Sequence, residues 1–228
     1  MTKSIFRIAL AALLLLILIT GGVFYTHPEW DKAASAAFYD AESGTFPAKF
    51  TQPYRFANEA VDIMAKIVAV LALGSLLYYI IFRKRWSVLP PYEALFIIVV
   101  LAVAPGLVVN TVFKDHWGRA RPSQTTDFGG VRSFSPVWVV SDQCAKNCSF
   151  PSGDASMGFF LLAFAAVSRF RVAWLSAGLI MGGVFGYVRI AQGAHYLSDV
   201  LHSGLFVALV TLILARLFRL PLRRLAVF

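Results

Sequence analysis

The fold class predicted by the sequence is all-α: a polytopic membrane protein built as a six-transmembrane-helix bundle, with both termini cytoplasmic and one domain over residues 1–228. Three observations predict it. The 228 residues are 58% hydrophobic and 14% charged, and mean hydropathy is +0.69, far from the balance of soluble domains. The apolar residues gather into six stretches near the length a bilayer demands, roughly 20 residues for a helix. The basic residues gather between alternate stretches. The net charge of +9 therefore reads as topology, and the expected partner is the lipid bilayer, with no nucleic acid.

The first stretch, 8–25, is longer than the apolar part of a signal peptide, and no small-x-small cleavage pattern follows it, so a retained helix is expected. The segment 26–62 contains "HPEWDKAASAAFYD", where Trp30, Ala33, Ala37 and Phe38 fall on one face of a short helix suited to lying on the bilayer. Stretches 63–82 and 94–112 come next. The fourth, 155–167, is short and is expected to begin at Ser152. Stretch 173–190 carries Gly178, Gly182 and Gly186 at four-residue spacing, a pattern of close helix packing. Stretch 200–217 is the last.

Lys3 and Arg7 precede the first stretch, and Arg83, Lys84 and Arg85 follow the second. Arg169 and Arg171 join the fourth and fifth, and Arg216, Arg219, Arg223 and Arg224 end the chain. All fall on one side, with Glu93 the one acid among them. This is the positive-inside pattern. The opposite side carries the long segments 26–62 and 113–151 and the short one 191–199. Cys144 and Cys148 lie four apart in the second of these, and a disulfide is expected there if that side is oxidising. A lone C-x3-C without a companion His is a poor metal signal.

Three polar clusters on the outer side have no topological explanation. "KDHWGRARP" supplies Lys114, Arg119 and Arg121 after the third stretch. "PSGD" supplies Ser152, Gly153 and Asp154 before the fourth. "RIAQGAHYLSD" supplies Arg189 after the fifth, then His195 and Asp199 before the sixth. All meet the membrane at one level, where charge is costly and points to function. Lys114, Arg121 and Arg189 suit phosphate oxygens. Ser152 and the N–H groups around Gly153 offer neutral donors at a helix start. His195 stands four residues before Asp199, a spacing that lets the carboxylate accept from one ring nitrogen and leaves the other as a nucleophile. Arg119 reads either as a further phosphate ligand or as a solvent-facing contact to lipid headgroups. His116 and His202 read as structural.

Lys114 to Pro122 fits K-x6-R-P, Pro151 to Gly153 fits the first three positions of P-S-G-H, and Arg189, His195 and Asp199 fit R-x5-H-x3-D. Together these resemble the signature motifs of the type-2 phosphatidic acid phosphatase superfamily of membrane lipid phosphatases. The resemblance runs from the third helix to the C-terminus; the N-terminal third is similar only in topology. It implies a phosphoric monoester hydrolase with no metal and no other cofactor. His195 would attack phosphorus and form a phosphohistidine, Asp199 would support it, and Lys114, Arg121, Ser152, Gly153 and Arg189 would hold the phosphoryl oxygens. The positive-inside pattern and the compact single domain fit a bacterial inner membrane, with the site facing the periplasm. The expected substrate is a phosphorylated lipid. Lipid A is favoured because the long outer segments suit a large saccharide headgroup, with undecaprenyl pyrophosphate and phosphatidylglycerophosphate as alternatives.

One position departs from the pattern. Where the family has His after P-S-G to protonate the leaving oxygen, this chain has Asp154. Three readings stand: Asp154 is the acid of a divergent branch, it is an introduced change that stops turnover, or the protein binds lipid phosphate without turnover. A transporter with a phosphate-binding vestibule is the competing class, but it calls for ionisable groups at the midplane of several helices. The apolar stretches lack them.

Overall fold

The structure is a computed structural model that describes residues 3–85 and 89–220. Arg223 and Arg224, counted above on the basic side, lie outside the described residues. Seven helices carry the architecture: α1 (Lys3–Thr26), α2 (Glu29–Ala36), α3 (Gln52–Phe82), α4 (Pro91–Phe113), α5 (Gly153–Val167), α6 (Arg171–Ala191) and α7 (Leu197–Leu217). Five of them are long and apolar enough to cross a membrane, and α5 is a shorter apolar helix. Among the described residues there is no β-strand, only isolated bridges pairing Asp40 with Thr45 and Thr125 with Arg132.

The helix boundaries follow local chemistry. Pro53 and Pro91 stand in the first turns of α3 and α4, where a missing N–H costs nothing. Arg83 closes α3 in the left-handed region, at φ 54°. Ser152 caps α5, its Oγ accepting from the Ala155 N–H at 3.4 Å. The fourth stretch therefore starts where expected. The second starts earlier than its apolar run: α3 runs from Gln52, because the polar residues 52–62 continue the same helix beyond the apolar zone.

In α4 the residues Ala102–Phe113 wind as a π-helix. Pro105 lies within it and has no N–H to give to the ladder. The wider turns send the Lys114 N–H to the Val109 carbonyl, five residues back, at 3.1 Å, and the Asn110 side-chain amide to the Pro105 carbonyl at 2.8 Å. π-windings of this kind recur at functional sites. This one sets the angle at which Asn110 and Lys114 leave the helix.

Burial is inverted relative to a soluble protein. Leu18 and Val70 are 71% and 67% exposed, while Asp31, Arg119 and Asp199 are 0% exposed. That is the arrangement expected when lipid is the solvent. The glycine spacing in α6 packs helices closely. A side-chain carbon on Gly158 of α5 would lie 2.5 Å from the Gly182 backbone nitrogen, and one on Gly186 would collide with Val200 of α7. This contact holds the start of α5, the end of α6 and the start of α7 at one end of the bundle.

Helix α2 matches its expected amphipathic face in part. Trp30, Ala33 and Ala37 are exposed, but Asp31 and Ser35 on the other face are fully buried against the bundle. Its polar face is the one that docks on the bundle.

Candidate active site

The end of α4 and the starts of α5 and α7 bring the three clusters together. Lys114 leaves α4 beside Gly153 of α5. A side-chain carbon on Gly153 would stand 2.7 Å from Asn110 Oδ1 and 3.1 Å from Lys114 Nζ, so a larger residue here would push those two side-chain ends back. The segment after Cys144 runs along the segment after Lys114. The Cys148 N–H donates to the Lys114 carbonyl at 3.0 Å and the Ser149 N–H to the Arg119 carbonyl at 2.8 Å. Ser152 then reaches α7, its N–H donating to the Asp199 carbonyl at 3.3 Å.

His195 is buried, with its Nδ1 2.6 Å from the Ser149 carbonyl oxygen and 3.6 Å from Asp199 Oδ2. The first is a hydrogen bond; the second is a charge contact beyond hydrogen-bond range. A carbonyl only accepts, so Nδ1 carries the proton and the neutral ring keeps its lone pair on Nε2. Spacing alone assigns the acceptor role to Asp199, but Ser149 takes it. Asp199 is itself held by the Ser149 hydroxyl at 2.5 Å, the Tyr196 N–H at 2.9 Å and Arg119 Nη1 at 2.5 Å. Ser149 thus binds both members of the pair, through its carbonyl and through its hydroxyl. Burial is the largest influence on His195. Lys114 and Arg121 add to it and Asp199 opposes it, and the imidazole is held well below its ordinary range. The ring is neutral at pH 7, as a nucleophile must be.

Arg119 corrects both sequence readings. It neither faces solvent nor opens toward a phosphate. It is fully buried, bonded through Nη2 to Asp31 at 2.8 Å, through Nη1 to Asp199 and to Ser198 Oγ at 2.8 Å, and through Nε to the Ser135 carbonyl at 2.9 Å. Tyr196 packs its ring 4.3 Å from the guanidinium carbon. Four of its five N–H groups are engaged and the whole side chain is buried, so Arg119 is turned inward rather than toward a ligand.

The other three cations stand together. Lys114 is lowered to about 8 by burial first and by Arg121 next, with Arg189 also opposing its charge and Asp154 favouring it. Arg121 is likewise lowered, by burial and by Arg189. Mutual repulsion among neighbouring cations is the mark of a site prepared for an anion. Arg121 Nη2 bonds the Asn147 carbonyl at 2.9 Å and its side-chain oxygen at 3.1 Å. Asn147 lies within the loop closed by Cys144 and Cys148, whose Cα atoms are 5.6 Å apart across a disulfide. Arg189 Nη1 bonds Gln192 Oε1 at 2.8 Å, and that oxygen also accepts from Asn58 of α3 at 3.2 Å.

Asp154 faces these cations: its Oδ2 lies 3.0 Å from Arg189 Nε. The pair is close but the N–H is poorly directed at the oxygen, so attraction of charge, rather than a directed bond, holds it.

The sequence reading missed Asp31, Asn110, Ser149 and Gln192. Ser149 sits two residues before the Pro-Ser-Gly turn and Gln192 midway between Arg189 and His195, and adjacency to those motifs was the available signal. Asp31 carries no such mark. His202 stays structural: its Nδ1 lies 2.8 Å from the Ser198 carbonyl, and Trp138 donates to its Nε2 at 3.2 Å. No group of three or more His, Cys, Asp or Glu among the described residues is placed to hold a metal ion.

Known proteins resemble this chain in sequence and, in one case, in fold. A family model described as the PAP2 superfamily matches residues 93–223. A lipid A 4'-phosphatase of Francisella tularensis subsp. novicida (strain U112) is 44% identical over 195 residues, 82% of this chain and 86% of that protein. A lipid A 1-phosphatase of Rhizobium johnstonii is 38% identical over 118 residues, 51% of this chain and 44% of that protein. A crystal structure of a transmembrane PAP2 type phosphatidylglycerolphosphate phosphatase from Bacillus subtilis superposes with a TM-score of 0.55, covering 94% of this chain and 98% of that one at 21% identity. At that identity the likeness is one of fold.

Proposed function

Because the chain belongs to the PAP2 superfamily, we propose that it removes a phosphate from the saccharide headgroup of lipid A, on the periplasmic face of a bacterial inner membrane, through a phosphohistidine on His195. The observation that carries the chemistry is the 2.6 Å contact from His195 Nδ1 to the Ser149 carbonyl, which leaves Nε2 as the nucleophilic atom. Lys114, Arg121, Arg189 and the helix start at Ser152 and Gly153 hold the phosphoryl oxygens and offset the charge that builds on them. In the first step Nε2 bonds phosphorus and the bond from phosphorus to the sugar oxygen breaks. That oxygen leaves with the electron pair and takes a proton, which Asp154 supplies from the start of α5. In the second step water bonds phosphorus and gives its proton to the Asp154 carboxylate, the phosphorus–nitrogen bond breaks, and its electron pair returns to Nε2. Inorganic phosphate leaves.

The relatives named for lipid A phosphatase activity support that substrate, and they divide between the 4' and the 1 position. The Bacillus neighbour bears on fold only, so phosphatidylglycerophosphate ranks below lipid A. The Asp154–Arg189 contact favours one competing reading, a protein that holds lipid phosphate with little turnover.

Phosphate release from lipid A by detergent-solubilised protein, with a chelator in excess, tests the proposal. Release at a rate unaffected by the chelator is expected. A rate lost to the chelator and restored by a divalent ion overturns the metal-free mechanism, and release from phosphatidylglycerophosphate alone overturns the substrate.

Lys114 gives a pH prediction. Its folded value is lowered to about 8, so its charge is present below pH 8 and is lost as pH rises through that value. For lipid A, kcat/KM is expected to fall above about pH 8, because this parameter reports groups of the free enzyme. Lys114→Arg is expected to remove that limb. A profile flat to pH 9.5 in the parent contradicts the assignment.

A further inference from the structure

We propose that Asp31, on helix α2 and outside the matched region 93–223, is a positioning residue for His195, setting the charge behind the ring through Arg119 and Asp199. The proposal rests on the reading of His195 as nucleophile.

The connection is continuous and buried. Asp31 Oδ2 is 2.8 Å from Arg119 Nη2 and Arg119 Nη1 is 2.5 Å from Asp199 Oδ1, all three side chains 0% exposed. Asp199 Oδ2 is then 3.6 Å from His195 Nδ1. Asp31 also holds the first turn of α7, which carries Asp199. Its Oδ1 accepts from the Ser198 N–H at 2.8 Å and its Oδ2 from the Ser198 hydroxyl at 2.6 Å.

Two carboxylates and one guanidinium leave this buried group one negative charge in excess. An unbalanced buried charge is costly unless something offsets it. The reaction supplies the offset. When Nε2 bonds phosphorus while Nδ1 keeps its proton, the ring gains one positive charge. The bond to the sugar oxygen breaks with its electron pair on that oxygen, which takes a proton from Asp154. The four groups Asp31, Arg119, Asp199 and His195 then sum to zero. Without Asp31 the Arg119–Asp199 pair is already neutral, and the ring's charge has no net counter-charge behind it. The cations on the ligand side make this matter. Lys114 and Arg121 act on His195 directly, and Arg189, partly offset by Asp154, acts on Lys114. They all oppose a positive ring until phosphate is bound.

The test compares the parent, Asp31→Asn, the double variant R119Q/D31N and His195→Ala, in lipid A dephosphorylation and in thermal unfolding in detergent. Asn keeps the size and the acceptor for the Ser198 N–H; it removes the charge and the Oδ2 acceptor that Arg119 and the Ser198 hydroxyl use. Asp31→Asn is expected to lower kcat about 10- to 100-fold, the scale of one buried unit charge at an effective dielectric near 20, with KM within about threefold. The double variant restores the single excess negative charge on Asp199 and is expected to be faster than Asp31→Asn. A merely structural role for Asp31 predicts the opposite order, because the double variant loses more contacts. Asp31→Asn at the parent's kcat, or a double variant slower than the single one, overturns the proposal. If Asp31→Asn does not fold, the double variant decides: a rate within about tenfold of the parent supports the charge argument, and a rate as low as that of His195→Ala overturns it. His195→Ala active at the parent's rate would instead overturn the nucleophile reading on which the proposal stands.

Discussion

His195→Ala is expected to abolish phosphate release while the protein stays folded. The loss should be about 10⁴- to 10⁶-fold, the scale set by removing a group that forms the covalent intermediate. The size follows from the geometry. With Nδ1 engaged by the Ser149 carbonyl, Nε2 is the only ring atom free to bond phosphorus, and His202 cannot replace it because both its nitrogens are engaged. The side chain fills buried space, so some loss of thermal stability is expected as well. Unfolding midpoint and phosphate release measured on the same preparation separate the two effects. A variant that keeps activity within tenfold of the parent removes His195 from the nucleophile role.

Asp154→His is expected to act in the other direction, raising kcat about 10²- to 10⁴-fold, the range for placing a competent general acid at the leaving oxygen. Asp154 lies against Arg189 Nε at 3.0 Å. Held there, Asp154 competes with substrate phosphate for the guanidinium and must give up that contact before it can serve as the acid. An imidazolium there carries a proton and adds positive charge. Asp154→Asn separates the two defects: it frees Arg189 but donates no acidic proton, so KM should fall with little gain in kcat. Should both variants lose activity instead, Asp154 is the working acid of this chain, and its contact with Arg189 is broken when lipid phosphate binds.

The sequence made the helices and the ligand face of the site legible for different reasons. Runs such as 63–82 and 200–217 are continuous apolar segments of membrane length, so their existence needs no tertiary information. Asn58 shows the limit. It lies on the part of α3 that extends past the apolar run, where no hydropathy signal separates helix from loop. The cations Lys114, Arg121 and Arg189, proposed to hold phosphate, are legible because cations at helix ends on one side have no topological use. What lies behind His195 was not legible. Arg119 and Arg121 stand two apart in "GRARP", alike in type and setting, yet Arg121 faces the site and Arg119 is buried. The difference is made by Asp31 and Asp199, 88 and 80 residues away, and no local pattern announces a buried ion group assembled over such distances. Ser149 illustrates a second limit. The four-residue spacing of His195 and Asp199 does bring them close, at 3.6 Å, but spacing cannot reveal that a backbone carbonyl from another segment lies nearer.

The central claim is that the phosphoryl group passes through His195, and a trapped intermediate tests it most directly. Lipid A bearing ³²P at the phosphate to be released is mixed with the protein. The reaction is quenched in alkali, which preserves phosphohistidine and spares no phosphoserine-like ester, and the chain is cleaved into peptides. The account predicts label on the peptide containing His195, lost on acidification and absent from His195→Ala. Steady release of labelled phosphate with no label on that peptide, at times when turnover is under way, would contradict it and would mean that water attacks the lipid phosphate directly.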